Sequence, residues 1–245
     1  MPTIDWNRKW NEPEHWPDDG DQWRGQADYC GQPYPEWKEA LVKAFIEPFL
    51  EQGGAALEIA PGHGRWTPHL LDRAGEVHLV DMNPACLEHC RRRFAGRRGL
   101  HYHLNDGRSL SFLEEGSLDF IWSYDSFVHM EGETIGSYLV EFRRVLRPGG
   151  KAVIHHAGRR HLLLPLAFLA GWGRPGKWLF RLLSMKRDTA GGGDGDRGAV
   201  SRRLVRGLAA RAGLEVVDQT DNWGERGEYD CQRFRDTLTI LGRKG

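Results

Sequence analysis

The chain lacks a surplus of either charge, a long apolar run and more than a handful of cysteines, and each shortage removes a class of protein. Lys and Arg total 34 and Asp and Glu total 34, so the formal net charge is zero. A broad basic face for nucleic acid is therefore not expected, and the cluster Arg91-Arg92-Arg93 reads as a solvated helix face. The four cysteines, Cys30, Cys86, Cys90 and Cys231, form no CxxC pair. Cys86 and Cys90 with His89 bring too few ligands for a closed zinc site, which takes about four, and read as ordinary thiols on a helix. The opening MPTIDWNRKW has no apolar signal-peptide core, so the expectation is a reduced, cytoplasmic protein. The longest apolar stretch, LLLPLAFLAGW, falls short of the ~20 residues that cross a bilayer.

What remains is long enough, at 245 residues, for one sizeable core with appendages. Residues 1–37 form a polar arm punctuated by Trp6, Trp10, Trp16, Trp23 and Trp37, with no helical or strand period. Tryptophan is costly to leave in water, so this arm is expected to pack over the body or over a ligand. Residues 38–245 carry the main domain. Helical spacing runs over 36–50, and then short β-rich runs at 55–60, 76–82, 99–105, 117–125 and 151–157 alternate with helical stretches. The last of these helices is expected to stop at Pro148-Gly149-Gly150. Such alternation predicts right-handed crossovers and a parallel sheet covered on both faces. Residues 158–197 break the rhythm with an apolar run, scattered basic residues and the Gly-rich AGGGDGD, which together predict an inserted cap or lid. Its basic and apolar mixture also leaves open a monotopic membrane contact, as the minor alternative. A helix over 201–213 and strands over 214–223 and 232–244 close the fold as a hairpin beside the parallel sheet.

The joint LEIAPGHGRWTPHLL follows the first strand, and in an open parallel sheet the ligand lies outside the carboxyl ends of the strands. Gly62 and Gly64 allow close backbone approach, and the next helix begins there with free amide donors. Glu58 near the strand end offers a carboxylate to an amino group. The second strand ends in Asp81, nineteen residues past Gly62. A carboxylate about 20 residues after the glycines is where a ribose hydroxyl pair is held. The turn is GHGRW, without the third glycine of GxGxxG, which disfavours a dinucleotide. Asp106 in Asn105-Asp106-Gly107 reads either as an adenine-facing acceptor or as a turn former. The fourth strand ends at SYDSFVHM and brings Asp125, Ser126 and His129 to the same rim.

The run ALEIAPGHGRWT, VHLVDMNPACLEHC, HLNDGRSL, LDFIWSYDSFVHM and VLRPGGKAVIHHAG resembles the class I S-adenosylmethionine-dependent methyltransferases over about residues 50–157. The resemblance implies a Rossmann-like, doubly wound, seven-stranded α/β sheet, mostly parallel with an antiparallel last strand. It implies S-adenosylmethionine as cofactor, with S-adenosylhomocysteine as product. Glu58, Ala60, Gly62 and Gly64 would line its methionine part, and Asp81 would hold the ribose. Met82 would pack on the adenine, Asp106 and Gly107 would face the adenine edge, and Asp125 would lie beneath the sulfonium end. The stretches KAVIHHAG, DRGAVSRRLVRGLAARAGLEVVDQTDNWG and YDCQRF are similar to methyltransferases of bacterial polysaccharide and glycan biosynthesis. Those sequences follow the paired histidines with Ser-Asn, whereas here Ala157-Gly158 follows, which weakens transfer of a sugar substrate.

Methyl transfer asks the protein for alignment and exclusion of water, and a hydroxyl acceptor also needs a base. His129, His155 and His156 lie at strand ends where they can reach the rim, and adjacent strand residues face opposite ways, so one of His155 and His156 should face the ligand. The expected activity is O-methylation of a small molecule or sugar, with Asp125 and one of these histidines as the catalytic groups. A small-molecule N-methyltransferase and a non-catalytic adenosyl-ligand binder stay open as alternatives.

Overall fold

A computed structural model describes residues 17, 19–21, 25–158, 198, 200–231 and 236–244. Two helices, α1 (Gly25–Cys30) and α2 (Tyr34–Phe45), precede the sheet. The alternating body follows as β1 (Ala55–Ile59), α3 (Thr67–Leu71), β2 (Glu76–Asp81), α4 (Pro84–Arg93), β3 (Leu100–Leu104), β4 (Leu118–Ser123), a 3₁₀ turn (Phe127–His129), α5 (Gly132–Val145) and β5 (Leu146–Ala157). The end of the chain supplies α6 (Arg202–Ala212), β6 (Leu214–Thr220), β7 (Asn222–Trp223), β8 (Tyr229–Asp230) and β9 (Asp236–Arg243). Apart from Gly158, the expected lid at 158–197 lies outside the described residues, as do Trp6, Trp10, Trp16 and Trp23 of the arm.

Seven strands form one sheet in the order β3-β2-β1-β4-β5-β9-β6. The first five run parallel, and β9 pairs antiparallel with both β5 and β6. This is a Rossmann-like, doubly wound α/β sheet, mostly parallel with an antiparallel strand, and its strand order reverses between β1 and β4. Among the described residues no helix is long and apolar enough to cross a membrane.

Period-two alternation sorts the core onto two faces. On one, Ala56, Leu79, Phe120 and Trp122 pack against Trp37 and Leu41 of α2, Leu70 of α3 and Leu87 of α4. On the other, Leu57, Val80, Ile121 and Ile154 pack against Ile135, Leu139 and Phe142 of α5 and Val205 of α6. Helix starts follow local chemistry. Asn83 caps α4 by accepting from the Ala85 amide, with Pro84 in the first turn, and Ser201 caps α6 by accepting from the Leu204 amide. Gly213, at φ 77°, takes the left-handed conformation that ends α6.

Several local expectations are corrected. The stretch read as aperiodic contains α1 and the start of α2, short elements whose packing against the body, with Ala27 and Trp37 fully buried, outweighs their weak pattern. The helix α2 ends at Phe45 and turns follow to Phe49, so its run is shorter than 36–50. The helix α5 stops at Val145, and Pro148-Gly149-Gly150 lies inside β5, not at a helix end. There the register shifts from Leu118 opposite Leu146 to Phe120 opposite Lys151, and Gly149 at φ 84° lets the extra residues bulge out. The strand expected over 214–223 breaks after Thr220, and β7 leaves the sheet to pair with β8.

Candidate active site

The rim is marked by backbone geometry. Among the described residues two non-glycines have positive φ, Ala60 at 56° and Asp125 at 63°. One follows β1 and the other follows β4, the two strands that flank the reversal of strand order. Such conformations cost energy and persist where the surroundings over-determine them, as binding sites do. Gly62 at 57° and Gly64 at 85° continue the loop after β1. A Cβ on Gly64 would come within 2.5 Å of the Phe94 ring, so glycine is required there to seat the loop on the end of α4.

Two buried carboxylates stand at the ends of β1 and β2. Glu58 accepts from the Thr67 hydroxyl at 2.6 Å, and burial raises its pKa to about 7 despite that bond. Asp81 accepts from the amides of Asn83, at 2.8 Å, Gly62 and Met82. Burial nevertheless raises it to about 6. Neither carboxylate has an ion-pair partner among the described residues. This pair of acceptors fits a ligand that brings an ammonium group to Glu58 and a hydroxyl pair to Asp81. Met82 is exposed beside Asp81, and its sulfur lies 3.7 Å from where a Cβ on Gly107 would stand. Asp106 is exposed, and its Oδ1 accepts from the Ser109 amide at 2.8 Å and from Arg108 at 2.9 Å. Those two bonds hold it below the ordinary carboxylate range. The turn-forming use of Asp106 is thus present in the structure, beside an open cavity of about 480 Å³ lined by Leu104, Asn105, Asp106, Ser109, Ser111 and Phe112.

The β4–β5 side of the rim is built differently, from charges that pair with one another. Asp125 Oδ2 meets Arg65 Nη1 at 2.9 Å, and Asp125 Oδ1 lies 3.1 Å from His155 Nδ1. On the far side of the imidazole, Nε2 stands 3.5 Å from the wholly buried Asp236 at the start of β9. Arg65 is itself buried among Trp66, Tyr34, Tyr124 and Trp37, with its guanidinium carbon 4.8–5.9 Å from the ring centres. Its Nε donates to the Tyr34 hydroxyl at 3.0 Å, and that hydroxyl donates to Asp21 at 2.5 Å. Lys38 also pairs with Asp21, at 2.9 Å.

The three histidines part company. His155 is buried on the Arg65 side and stacks on Tyr124, with ring centres 4.2 Å apart. His156 faces the other way, with Nδ1 2.8 Å from the Ala157 carbonyl and Nε2 2.7 Å from the Thr239 hydroxyl. Burial pushes its pKa down to about 4, so it serves as a neutral core group. His129 ends the 3₁₀ turn after β4 and is half-buried. Cys86 and Cys90 are buried thiols, Cys90 donating to the Gly62 carbonyl at 3.3 Å, and burial pushes both pKa values far up. Among the described residues no three His, Cys, Asp or Glu side chains form a group that could hold a metal ion.

Sequence reasoning missed Arg65, Asp21, Tyr34, Thr67 and Asp236. Arg65 and Thr67 lie within the glycine-loop stretch itself. Asp236 had a readable signal, as the one acidic residue in QRFRDTLTILG, directly ahead of the strand run TLTILG.

Comparison with known proteins agrees with this geometry. Residues 56–150, from β1 into β5, match the family model described as a methyltransferase domain. A 69-residue stretch is 35% identical to the ribosomal RNA small subunit methyltransferase A of Rubrobacter xylanophilus, covering 28% of this chain and 26% of that protein. Another of 131 residues is 30% identical to the squalestatin hexaketide synthase of a Phoma species, covering 47% of this chain and 5% of that protein. The chain therefore spans only a minor part of either curated relative. In overall shape it is similar to the geranyl diphosphate C-methyltransferase of Streptomyces coelicolor A3(2). That match has a TM-score of 0.64 and 15% identity, and covers 99% of this chain and 100% of the other; its structure contains Mg²⁺, geranyl diphosphate and S-adenosyl-L-homocysteine.

Proposed function

We propose that the protein is an S-adenosylmethionine-dependent methyltransferase acting on a hydroxyl of a small molecule. The observation that carries this reading is the pair of buried carboxylates, Glu58 and Asp81, with no ion-pair partner among the described residues, at the ends of β1 and β2 beside the left-handed Ala60 and the Gly62–Gly64 loop. The methyltransferase-domain match over the same strands supports it, as does the structure of the similar C-methyltransferase with S-adenosylhomocysteine. Glu58, Ala60, Gly62 and Gly64 would hold the methionine part of the cofactor and Asp81 the ribose. Met82, Asp106 and Gly107 would border the adenine, and Asp125 would lie at the sulfonium end. When bound, the cofactor supplies a methyl group on a cationic sulfur.

The chain's own groups then align the acceptor and take its proton. Of the three histidines, His156 has both nitrogens engaged inside the core and His155 is fully buried between two carboxylates. His129, half-buried at the rim, is the one whose position allows contact with an acceptor, and we assign it as the general base. A sugar acceptor of the kind found in glycan biosynthesis belongs to this reading as one case of a small hydroxylated substrate.

The first test is calorimetric titration with S-adenosylhomocysteine. Saturable binding is expected for the natural chain, and Asp81→Ala should weaken it on the order of a hundredfold, the size of losing charge-assisted hydrogen bonds. No binding by the natural chain would overturn the cofactor assignment. With an acceptor found by screening small hydroxylated compounds, His129→Ala should lower turnover by about 10²–10³ while S-adenosylhomocysteine affinity holds. Full turnover in that variant would remove His129 as the base.

A further inference from the structure

His155 is too deeply buried to reach an acceptor, yet its surroundings are not those of an idle core residue. Its Nδ1 faces Asp125 twice, 3.1 Å from the carboxylate Oδ1 and 3.2 Å from the backbone nitrogen, whose N–H points at the ring. Among the described residues its Nε2 makes no hydrogen bond, and the Asp236 carboxylate stands 3.5 Å away. The ring is kept in plane by Tyr124, stacked at 11°. Asp125, the residue so gripped, has the left-handed φ of 63°. A non-glycine residue with that backbone conformation persists where its neighbours impose it. The neighbours here come from three separate elements. Arg65 follows the glycine loop, His155 lies on β5, and Asp236 begins β9.

We propose that His155, backed by Asp236, is a positioning residue: with Arg65 it clamps the strained Asp125 so that its carboxylate is presented to the cationic end of the methyl donor. The inference rests on the cofactor reading above and assigns roles to His155, Asp236 and Arg65 that neither the domain match nor the fold supplies. Asp236 stands behind the imidazole at Nε2, and Nδ1 accepts from the Asp125 backbone N–H, which holds the backbone that carries the carboxylate. Arg65, held in its aromatic surround, fixes carboxylate Oδ2 at 2.9 Å. A carboxylate placed in this way discriminates by charge. It favours a sulfonium over the neutral thioether left after transfer, and so helps binding of donor over product.

The test compares two ligands that differ in that charge. S-adenosylmethionine and S-adenosylhomocysteine share the adenosine and homocysteine parts, so general damage weakens both alike, whereas a misplaced Asp125 shifts their ratio. The full chain is titrated with each ligand by calorimetry as the natural sequence, His155→Leu, His155→Asn and Asp236→Asn, with melting temperatures taken in parallel. His155→Leu should shift the affinity ratio about tenfold against S-adenosylmethionine. His155→Asn, whose amide can accept or donate near the place of Nδ1, should return the ratio to within about threefold of the natural value. Asp236→Asn, nearly isosteric, should shift it in the same direction as His155→Leu and serves as the readout if the leucine variant does not fold. A ratio unmoved in folded His155→Leu or Asp236→Asn overturns the proposal, as does an asparagine variant no better than leucine. If the natural chain binds both ligands and only the ratio fails to respond, the positioning role falls and the cofactor reading stands. If it binds neither, the cofactor reading falls and takes this inference with it.

Discussion

The two sides of the rim handle buried charge in opposite ways. At the ends of β1 and β2, Glu58 and Asp81 are buried without an ion-pair partner among the described residues, and burial raises them to about 7 and about 6. At the ends of β4 and β5, Asp125 and His155 are joined to Arg65 and Asp236, and through Arg65 and Tyr34 to Asp21. The first side is electrostatically incomplete and suits a ligand that brings its own donors. The second is tied together within the protein by the Arg65 ion pair with Asp125 and suits a group whose place must be fixed before the ligand arrives.

The comparison breaks most directly at Arg65. Arg65→Leu removes the cation from a buried ion pair and leaves Asp125 and Asp21 without it, a change that costs about 3–5 kcal/mol where pairs are fully buried. Because Asp125 keeps some exposure, the expected loss in urea unfolding lies near the lower end, ~3 kcal/mol. Adding Asp125→Asn to Arg65→Leu should recover part of it, since the uncompensated charge is then gone. Equal losses in the single and double variants would mean that Arg65 stabilises by packing among the aromatics and not by pairing.

Acid and alkali sharpen the contrast from the other side. Glu58 has its folded pKa raised from 4.5 to about 7. Its contribution to stability is therefore fully present below pH 4.5 and is lost as pH rises through 7. His156 has its folded pKa lowered from 6.5 to about 4. Its contribution is present above pH 6.5 and is lost as pH falls through 4. Each swing is on the order of 3 kcal/mol. Accordingly Glu58→Gln should gain stability relative to the natural chain as pH climbs from 4.5 to 7. The corresponding difference for His156→Gln should grow as pH drops from 6.5 to 4. Chemical unfolding across that range checks both slopes, and parallel curves for either variant would show that the group is not held as its surroundings imply.

How far the sequence could be read follows the same division. The β1–β2 side was legible because its chemistry is local: glycines after a strand, then a carboxylate about 20 residues on, are spacings within one βαβ unit. Strand alternation likewise gave the five parallel strands and the closing hairpin, since burial on both faces leaves a strong apolar signal. The β4–β5 side was half legible. Asp125 and His155 could be placed at the rim by strand ends alone, and alternation required His155 and His156 to diverge. Which of them faced the rim depended on the register of β5, and that register is set by the bulge around Gly149, which no short-range pattern announces. Asp21, Tyr34 and Asp236 come to the site from 104, 91 and 111 residues away from Asp125, by the arithmetic of their positions. Only tertiary structure joins such groups.

The smallest effect is expected at Asp106, where the two sides of the comparison meet a third kind of carboxylate, exposed and committed to its own turn. Its Oδ1 already takes the amides of Arg108 and Ser109, so its removal should act through the loop that carries Gly107. Asp106→Ala is expected to weaken S-adenosylhomocysteine about threefold, far less than the hundredfold expected at Asp81, with a slight fall in melting temperature as the turn loosens. Asp106→Asn keeps the accepting oxygen and should bind almost as the natural chain does. If asparagine and alanine instead weaken binding equally and strongly while the melting temperature holds, the charge of Asp106 itself meets the ligand. The turn would then be a consequence of that carboxylate's place at the adenine edge, and the incomplete side of the rim would extend from two strand ends to three.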